Sequence, residues 1–418
     1  MKFQRIRGTR DILPDEYAMR EELLQRARRI LRAYGYRFIQ TPTFEPTELF
    51  VRSVGETTDI VEKEMYTFQD RGGRSLTLRA EGTAPVIRAF LENHLPSPIK
   101  LAYYVPIFRA ERPQKGRLRE HYQLGVEAIG ERSPLLDSEL IRMLMEILDA
   151  FGIQERRLEI NSIGSPEDRQ RYRQALLEYL TPLRETLCAD CQRRMDRNPL
   201  RVLDCKVDGP RLTDVPRFQD YLSDESRRFF DELLSILDRW QIPYQVNPRL
   251  VRGLDYYTDT VFEVKVPGLG AQDTVAGGGR YDRLVEELGG PPTPAVGFGM
   301  GMERVLLALG EPRKEEPLDY FVVYTSEATR ERALDLAFEL RQRGFAVDFV
   351  HEPKKLRAQM KRAHRLKARY TLIVGDEELQ RNAVKLRHME TGEEREVPIP
   401  HLFTANGSSP LSDPEGLR

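Results

Sequence analysis

The chain has 418 residues, 40% of them hydrophobic and 31% charged, which fits two or three packed domains and excludes both a disordered polymer and a small stapled module. Lys and Arg total 65 against 66 Asp and Glu, so a polyanionic partner must be met by a local basic patch and not by net charge. The opening MKFQRIRGTRDILPDE has no apolar signal core, no apolar run approaches bilayer thickness, and three cysteines make no disulfide framework; the expectation is a cytoplasmic protein without membrane contact.

From Pro14 onward, Leu23, Leu24, Ala27, Ile30, Leu31 and Tyr34 share one helical face, and Gly35 supplies a left-handed stop. YRFIQTPTFEP follows as a strand broken by prolines. IKLAYYVPIFRAE and LREHYQLGVEAIG alternate with period two around RPQKGR, which predicts a hairpin with a cationic loop at its tip. A second helix is expected over about 138–151, with Ile141, Leu144, Met145, Leu148 and Phe151 on one stripe and Gly152 at its end. RRLEINSIG reads as a strand, and Ser165, Pro166, Glu167 and Asp168 as a helix start: a cap, a first-turn proline and acids at the positive dipole end. Residues 165–242 are mainly helical, and strand character returns with RLVRGLDYYTDTVFEVKV, so a helical insertion interrupts one sheet. EPRKEEP reads as a linker. Beyond it DYFVVYT, FAVDFV and RYTLIVG alternate with two helical stretches, the pattern of a small α/β domain.

On the returning strand of the hairpin, Arg119, His121, Gln123, Gly125 and Glu127 share one face, because strand side chains alternate. An amide and a carboxylate flanking a glycine suggest a polar pocket with room for a small ligand. An ordinary solvated strand face accounts for the same residues. Arg109 is placed either to pair with Glu111 or Glu127 or to grip a phosphate through its bidentate fork. In VGFGMGMER, Gly297, Gly299 and Gly301 alternate, which bares one face of a strand. A flat aromatic ligand can lie on such a face with Arg304 stacked over it, and close backbone packing is the alternative. Neither a Walker loop nor a GxGxxG cradle is present.

FRAE at 108–111 and GFGMGMER at 297–304 resemble the second and third motifs of class II aminoacyl-tRNA synthetases, and Pro42 sits where the first, dimer-forming motif has its proline. LVRGLDYYTDTVFEV at 250–264 and GGGRYD at 277–282 are similar to two signatures of the histidyl-tRNA synthetase family. The resemblance covers nearly the whole chain. It implies an α+β catalytic domain built on a mainly antiparallel sheet over 1–164 and 243–315, a helical insertion over 165–242 and an anticodon-binding α/β domain with a mixed sheet over 318–405, while the turn-rich TANGSSPLSDPEGLR by its own composition predicts a disordered tail over 406–418. The activity implied is ATP-dependent ligation of L-histidine to histidine tRNA through a histidyl-adenylate, with magnesium, in a homodimer, releasing AMP and pyrophosphate.

The same resemblance implies site residues. Glu81 and Thr83, flanking Gly82 in the histidine site, would hold the α-amino group with Gln123. Glu127 and Tyr257 would bind the imidazole, with Tyr256 and Tyr281 completing the pocket. Arg109 and Arg252, the catalytic pair, would grip the α-phosphate and the substrate carboxylate. Glu111 would hold the adenine amino group, and Arg304 would stack on adenine and neutralise the triphosphate with Arg117. Gln114 and Arg119 would meet the acceptor end of tRNA. Two positions depart from the family pattern: Ala80 replaces the usual proline before Glu81, and Asp259, which could weaken local anion binding, stands where a basic or small residue is common. The rival reading is a regulatory subunit of ATP phosphoribosyltransferase built on the same core; Arg252, Arg304, GGGRYD and the C-terminal domain favour the synthetase.

Two further features stand apart. Cys188, Cys191 and Cys205 supply three thiols, but a closed zinc site needs a fourth ligand, and no histidine lies between His121 and His351. An aspartate such as Asp204 could serve; the reading adopted is buried free thiols, and the protein is assigned no metal of its own. KKLRAQMKRAHRLKARY holds eight cations and no acid, with Leu356, Met360 and Ala363 on one stripe. That is a solvated helix face or, given the resemblance, a contact for the tRNA backbone.

Overall fold

The structure, a computed structural model, describes residues 3–56, 58–203, 205, 207–270, 273–310, 318–352 and 354–403. It divides into two compact units, Met1–Arg313 and Lys314–Arg418. The expected linker EPRKEEP and the expected tail over 406–418 lie outside the described residues.

The first unit opens with α1 (Pro14–Ala33), which buries Leu23, Leu24, Ala27 and Leu31 and starts on a first-turn proline. Gly35 follows at φ +83°, the conformation its lack of a side chain permits. The segment expected as one broken strand is two: β1 (Arg37–Phe38) and β2 (Phe44–Pro46), in different sheets. With β3 (Thr67–Gln69) and β4 (Ser75–Leu78), β2 forms a small sheet; α2 (Thr47–Val54) comes between β2 and β3 in sequence, and α3 (Thr83–Glu92) follows β4. The hairpin is β5 (Ile99–Phe108) and β6 (Glu120–Ile129). Helix α4 (Pro134–Phe151) starts one turn before the expected 138, because Ser133 accepts a hydrogen bond from the Leu135 N–H and Pro134 fits the first helical position. Leu135 is exposed there, which hid the first turn from the apolar periodicity.

After β7 (Arg157–Ser162) come α5 (Pro166–Leu180), whose Ser165 and Asp168 form a reciprocal capping box, then α6 (Ala189–Arg197), α7 (Leu200–Leu203) and α8 (Asp224–Arg239). The chain returns through β8 (Gln245–Val246), β9 (Thr258–Lys265), β10 (Thr274–Arg280), α9 (Leu284–Glu287), β11 (Ala295–Gly301) and α10 (Met302–Leu309). Residues 249–257, expected as part of a strand, are irregular, and the strand begins at Thr258. Their backbone carbonyls go to side chains instead of a ladder: Asn161 donates to Leu250 O at 3.1 Å, Arg201 to Gly253 O at 3.3 Å and Arg169 to Asp255 O at 3.0 Å.

The large sheet runs β1-β5-β6-β11-β10-β9-β7-β8 and is parallel only at its two ends, where β1 meets β5 and β7 meets β8. One face buries Leu124, Val126, Ala128, Phe298 and Met300 against the apolar stripes of α1 and α4. The Arg20 guanidinium crosses to Glu303 at 2.8 Å, and Glu303 also accepts the Tyr122 N–H at 2.9 Å, which ties α1, β6 and α10 together. The opposite face carries Gln123 and Glu127 of β6 beside the apolar Leu101, Val105 and Ile107 of β5. On the helix-packed face, Arg280 of β10 and Asp137 of α4 form a wholly buried ion pair, with Asp282 accepting a further hydrogen bond from Arg280 at 2.9 Å. Arg280→Ala would leave Asp137 buried and uncompensated, so urea unfolding should show a loss of ~3–5 kcal/mol.

The second unit contains β12 (Tyr320–Tyr324), α11 (Glu327–Gln342), β13 (Val347–Phe349), α12 (Leu356–Arg365), β14 (Tyr370–Val374), α13 (Asp376–Gln380), β15 (Ala383–His388) and β16 (Glu394–Pro398). Its sheet, β13-β12-β14-β15-β16, is parallel through its first three strands and antiparallel beyond, a mixed sheet. Among the described residues no helix is long and apolar enough to cross a membrane.

Candidate active site

A cleft of about 450 Å³ opens on the polar face of the sheet, lined among others by Arg109, Glu111, Arg117, His121, Gln123, Arg252, Glu263, Lys265, Thr274, Gly277, Gly301 and Arg304. Its cations are held in place. Arg109 donates to Ala80 O at 3.0 Å and stands 3.8 Å from Glu111. Arg117 pairs with Glu111 and, at 3.1 Å, with Glu64. Arg252 pairs with Glu263 and lies 5.8 Å from the centre of the Tyr257 ring. Arg304 donates to Gly116 O at 3.0 Å and Thr274 O at 2.6 Å. Burial, with the like charges of Arg109 and Arg304 adding to it, pushes the His121 imidazole down to about 3, so it is neutral. Burial also lowers the pKa of Arg304, with Arg109 and Arg117 adding to it. For Arg252 burial works against the charge, but Glu263 and Tyr257 more than offset it and the pKa rises.

Beside this cleft the residues expected to read histidine form a closed cluster. Glu127 is fully buried; its carboxylate accepts from the Tyr281 hydroxyl, from Thr83 Oγ1 at 2.8 Å and from Tyr103 OH at 3.2 Å. Burial pushes this carboxyl up to about 8, against the pull of the hydroxyl donors. Glu81 accepts from the N–H groups of Thr83 at 2.8 Å and Ala84 at 2.6 Å in the first turn of α3, and burial raises its pKa too. The Tyr256 hydroxyl reaches Glu81 at 3.5 Å, and the Tyr256 ring lies 4.8 Å from Tyr257 and 5.5 Å from Tyr281. Of the three tyrosines expected in the pocket, Tyr281 is the one bonded to Glu127, while Tyr257 lies against Arg252.

Glycines make this packing possible. Register sets Gly297 opposite Glu127, Gly301 opposite Gln123 and Tyr103 opposite Gly125. A Cβ on Gly297 would overlap Glu127, one on Gly299 would overlap Gln123, and one on Gly277 would overlap Arg252. The bare strand face expected from GFGMG thus exists, but at Gly297 and Gly299 it accommodates protein side chains; Gly301 alone of the three is open, with Arg304 carbons 4.0 Å away. Likewise the gap expected over Gly125 is filled by the Tyr103 ring, which also abuts Gly82.

Gln114 and Arg119 lie outside the cleft. Gln114 is exposed at the hairpin tip, its N–H bonded to Arg117 O at 3.0 Å. Arg119 turns to the Glu111 carbonyl at 3.3 Å, and its N–H meets Gly8 O at 2.8 Å, so the N-terminal segment runs against the loop. Ala80 is buried beside Phe50, Val54 and Ile60 and keeps its carbonyl for Arg109. Asp259 is buried and pairs with Arg132 at 3.0 Å, so its charge does not face the cleft. Sequence reasoning missed Tyr103 and the cleft residues Glu263, Lys265 and Thr274; the polar interruptions of an otherwise apolar VFEVK were the available signal for two of them. Cys188, Cys191 and Cys205 are free thiols gathered with Asp208, while Asp204 lies outside the described residues.

A family model described as histidyl-tRNA synthetase matches residues 8–165 and 211–305. A histidine–tRNA ligase from Geobacillus sp. (strain WCH70) is 47% identical over 411 residues, spanning 96% of this chain and 97% of its own length. The chain belongs to the histidyl-tRNA synthetase family. Membership makes it a class II aminoacyl-tRNA synthetase, an enzyme that charges histidine tRNA with ATP as a substrate. A second histidine–tRNA ligase, from Caldanaerobacter subterraneus subsp. tengcongensis, is 48% identical over 96% of this chain and 98% of its own length. Among solved structures, apo histidyl-tRNA synthetase from S. aureus superposes with a TM-score of 0.80 at 37% identity, covering 96% of this chain and 98% of that one. A model described as an anticodon binding domain matches residues 319–405. Within that range α12 turns Leu356, Met360 and Ala363 to the core and leaves Lys361 and Arg365 exposed, as its periodicity predicts.

Proposed function

We propose that this synthetase joins histidine to ATP in the cleft, forming a histidyl-adenylate and pyrophosphate, and then passes the histidyl group to the terminal ribose hydroxyl of tRNA, releasing AMP. One observation carries the reading: a closed carboxylate–tyrosine cluster around Glu127 abuts an arginine-lined cleft, with Gln123 bonded to the first through Tyr103 and exposed to the second. The chemistry asks for such an arrangement. The histidine carboxylate is already a nucleophile toward the α-phosphorus, so no general base is needed, and catalysis reduces to positioning two anions and stabilising the charge that spreads over the phosphoryl oxygens.

In this account Arg109 and Arg252 grip the substrate carboxylate and α-phosphate, and the carboxylates that now hold Arg117 and Arg252 are exchanged for phosphate oxygens when ATP binds. Glu111 receives the adenine amino group, with Arg304 over the ring. Magnesium, when bound, neutralises triphosphate charge; Glu263, a hard oxygen donor on the cleft wall, is of the type it takes beside phosphate. Glu81, Thr83 and Gln123 hold the α-amino group, and Glu127 reads the imidazole with Tyr281, which lets the site reject amino acids lacking a ring N–H by ~10⁴-fold without editing. Gln114 and Arg119 on the hairpin tip receive the acceptor end. The exposed rings of Phe44 and Phe68 on the small sheet offer an apolar patch for the homodimer implied by the first motif, and a cytoplasmic location is proposed with it.

Measuring ATP–pyrophosphate exchange with each of the twenty amino acids tests the reading: histidine alone should support exchange, and exchange with another amino acid, or with none, would overturn it. On the tRNA side, Lys361→Glu with Arg365→Glu on α12 should raise the KM for tRNA ~10-fold or more while exchange is unchanged, since backbone phosphate contacts contribute salt-sensitive affinity and not chemistry. A parallel fall in exchange would point to misfolding.

A further inference from the structure

Outside the cleft, the sequence brings four ligand-bearing residues to one point. Cys188, Cys191, Cys205 and Asp208 each offer a sulfur or carboxylate oxygen, and these atoms lie within 4.8 Å of one another. The Sγ atoms of Cys188 and Cys205 are 3.9 Å apart. A disulfide would need about 2.05 Å. Two thiolates on one tetrahedral zinc, each bonded at ~2.3 Å, stand about 3.8 Å from each other. The spacing is a pair of matching hooks, C-x2-C and C-x2-D, and the second ends on Asp208 rather than on the Asp204 considered from sequence. Asp208, Cys191 and Cys205 are buried, and the Asp208 carboxylate accepts the Cys188 N–H at 2.9 Å while its own N–H meets the Cys205 sulfur at 3.5 Å. Its cationic neighbour Arg211 stands off at 3.7 Å and is largely exposed, a poor counter-charge for a buried carboxylate.

We propose that Cys188, Cys191, Cys205 and Asp208 bind one structural zinc ion. Three soft thiolates and one carboxylate select zinc, and four protein ligands close the site to catalysis. The thiol protons go to solvent on binding.

The chain between the hooks shows what the metal secures. Arg194 and Arg201 both reach Asp59, at 3.3 and 3.0 Å, and Arg197 reaches Glu62 at 2.8 Å, beside the turn that carries Glu64. Asn198 donates to Asp255 at 3.0 Å, and Arg201 donates to Gly253 O. Gly253 and Asp255 lie between Arg252 and Tyr256, so the metal ties the ends of a brace that positions the substrate loop. This second half rests on the proposed roles of Arg252 and Tyr256; the metal itself does not.

The test uses the full wild-type chain, purified under reducing conditions without added metal or chelator. Elemental analysis should find close to one zinc per chain, set free by a mercurial reagent, and cobalt loaded in its place should give the intense visible bands of a tetrahedral thiolate. Asp208→Ala should weaken zinc affinity at least ~10-fold. In stripped protein the histidine KM in pyrophosphate exchange should rise about tenfold or more and be restored by zinc but not by magnesium. A reduced wild-type chain that holds no zinc and takes up neither zinc nor cobalt would overturn the site, as would a Cys188–Cys205 disulfide in metal-free, fully stable protein. Zinc bound with an unchanged histidine KM after stripping would overturn the brace. Failure of exchange in zinc-loaded protein would instead count against the proposed chemistry.

Discussion

Glu127→Ala is expected to lower histidine-dependent pyrophosphate exchange by ~10³-fold or more while the chain stays folded. The hydroxyls of Tyr281, Thr83 and Tyr103 converge on this carboxylate, so its removal takes away the reader of the imidazole and leaves the buried Tyr281 and Thr83 hydroxyls to find new partners, while Tyr103 keeps Gln123 Oε1 at 3.4 Å. Glu127→Gln separates charge from shape. The wild-type carboxyl titrates at about 8 in the folded protein, far above its value in an unfolded chain. Between roughly pH 4.5 and 8 the native state therefore keeps a proton that the unfolded state has released. The stability this proton contributes is complete below pH ~4.5 and is lost as pH rises through ~8, at about 1.4 kcal/mol per unit. A neutral glutamine does not titrate, so the stability of Glu127→Gln relative to wild type should improve by on the order of a few kcal/mol from pH 5 to pH 8.5. Urea midpoints at the two pH values measure it, and parallel profiles would show that Glu127 is ionised throughout.

Arg252→Ala should reduce the rate of exchange by ~10²–10³-fold, the usual consequence of losing a cation aimed at developing phosphoryl charge. The pairing of Arg252 with Glu263 complicates the single variant: a liberated carboxylate on the cleft wall would also repel ATP and raise its KM. Arg252→Ala combined with Glu263→Gln removes that repulsion. The double variant should recover near-normal ATP binding while the rate stays low, which separates transition-state stabilisation from simple affinity. If rate and affinity recovered together, Arg252 would be only a counter-ion for Glu263.

The hairpin was legible from sequence because a strand has a fixed period: parity along LREHYQLGVEAIG sets the side on which Gln123 and Glu127 lie, although the strands stop at Phe108 and resume at Glu120, short of the expected Glu111 and Leu118. The alternate glycines at Gly297 and Gly299 were legible for the same reason, but not what fills the space above them, since Glu127 and Gln123 arrive from a neighbouring strand whose register no local pattern states. Tyr103 over Gly125 escaped notice on the same grounds. Residues 249–257 alternate like a strand yet form none, because Asn161, Arg169 and Arg201, distant in sequence, claim their carbonyls. The gathering of Asp208 with three thiols depends on a chain reversal between Cys191 and Cys205, through α6 and α7, that spacing alone does not specify.

The central claim is that the Glu127 cluster and the arginine cleft act as one site that activates histidine before tRNA is engaged. It is tested most directly by mixing the protein with ATP, magnesium and labelled histidine, without tRNA and with pyrophosphatase present, and isolating the protein rapidly. Labelled histidyl-adenylate should accumulate in step with the number of active sites, and adding histidine tRNA should move the label to the tRNA and release AMP. Absence of adenylate until tRNA is added, with normal charging once it is, would contradict the account.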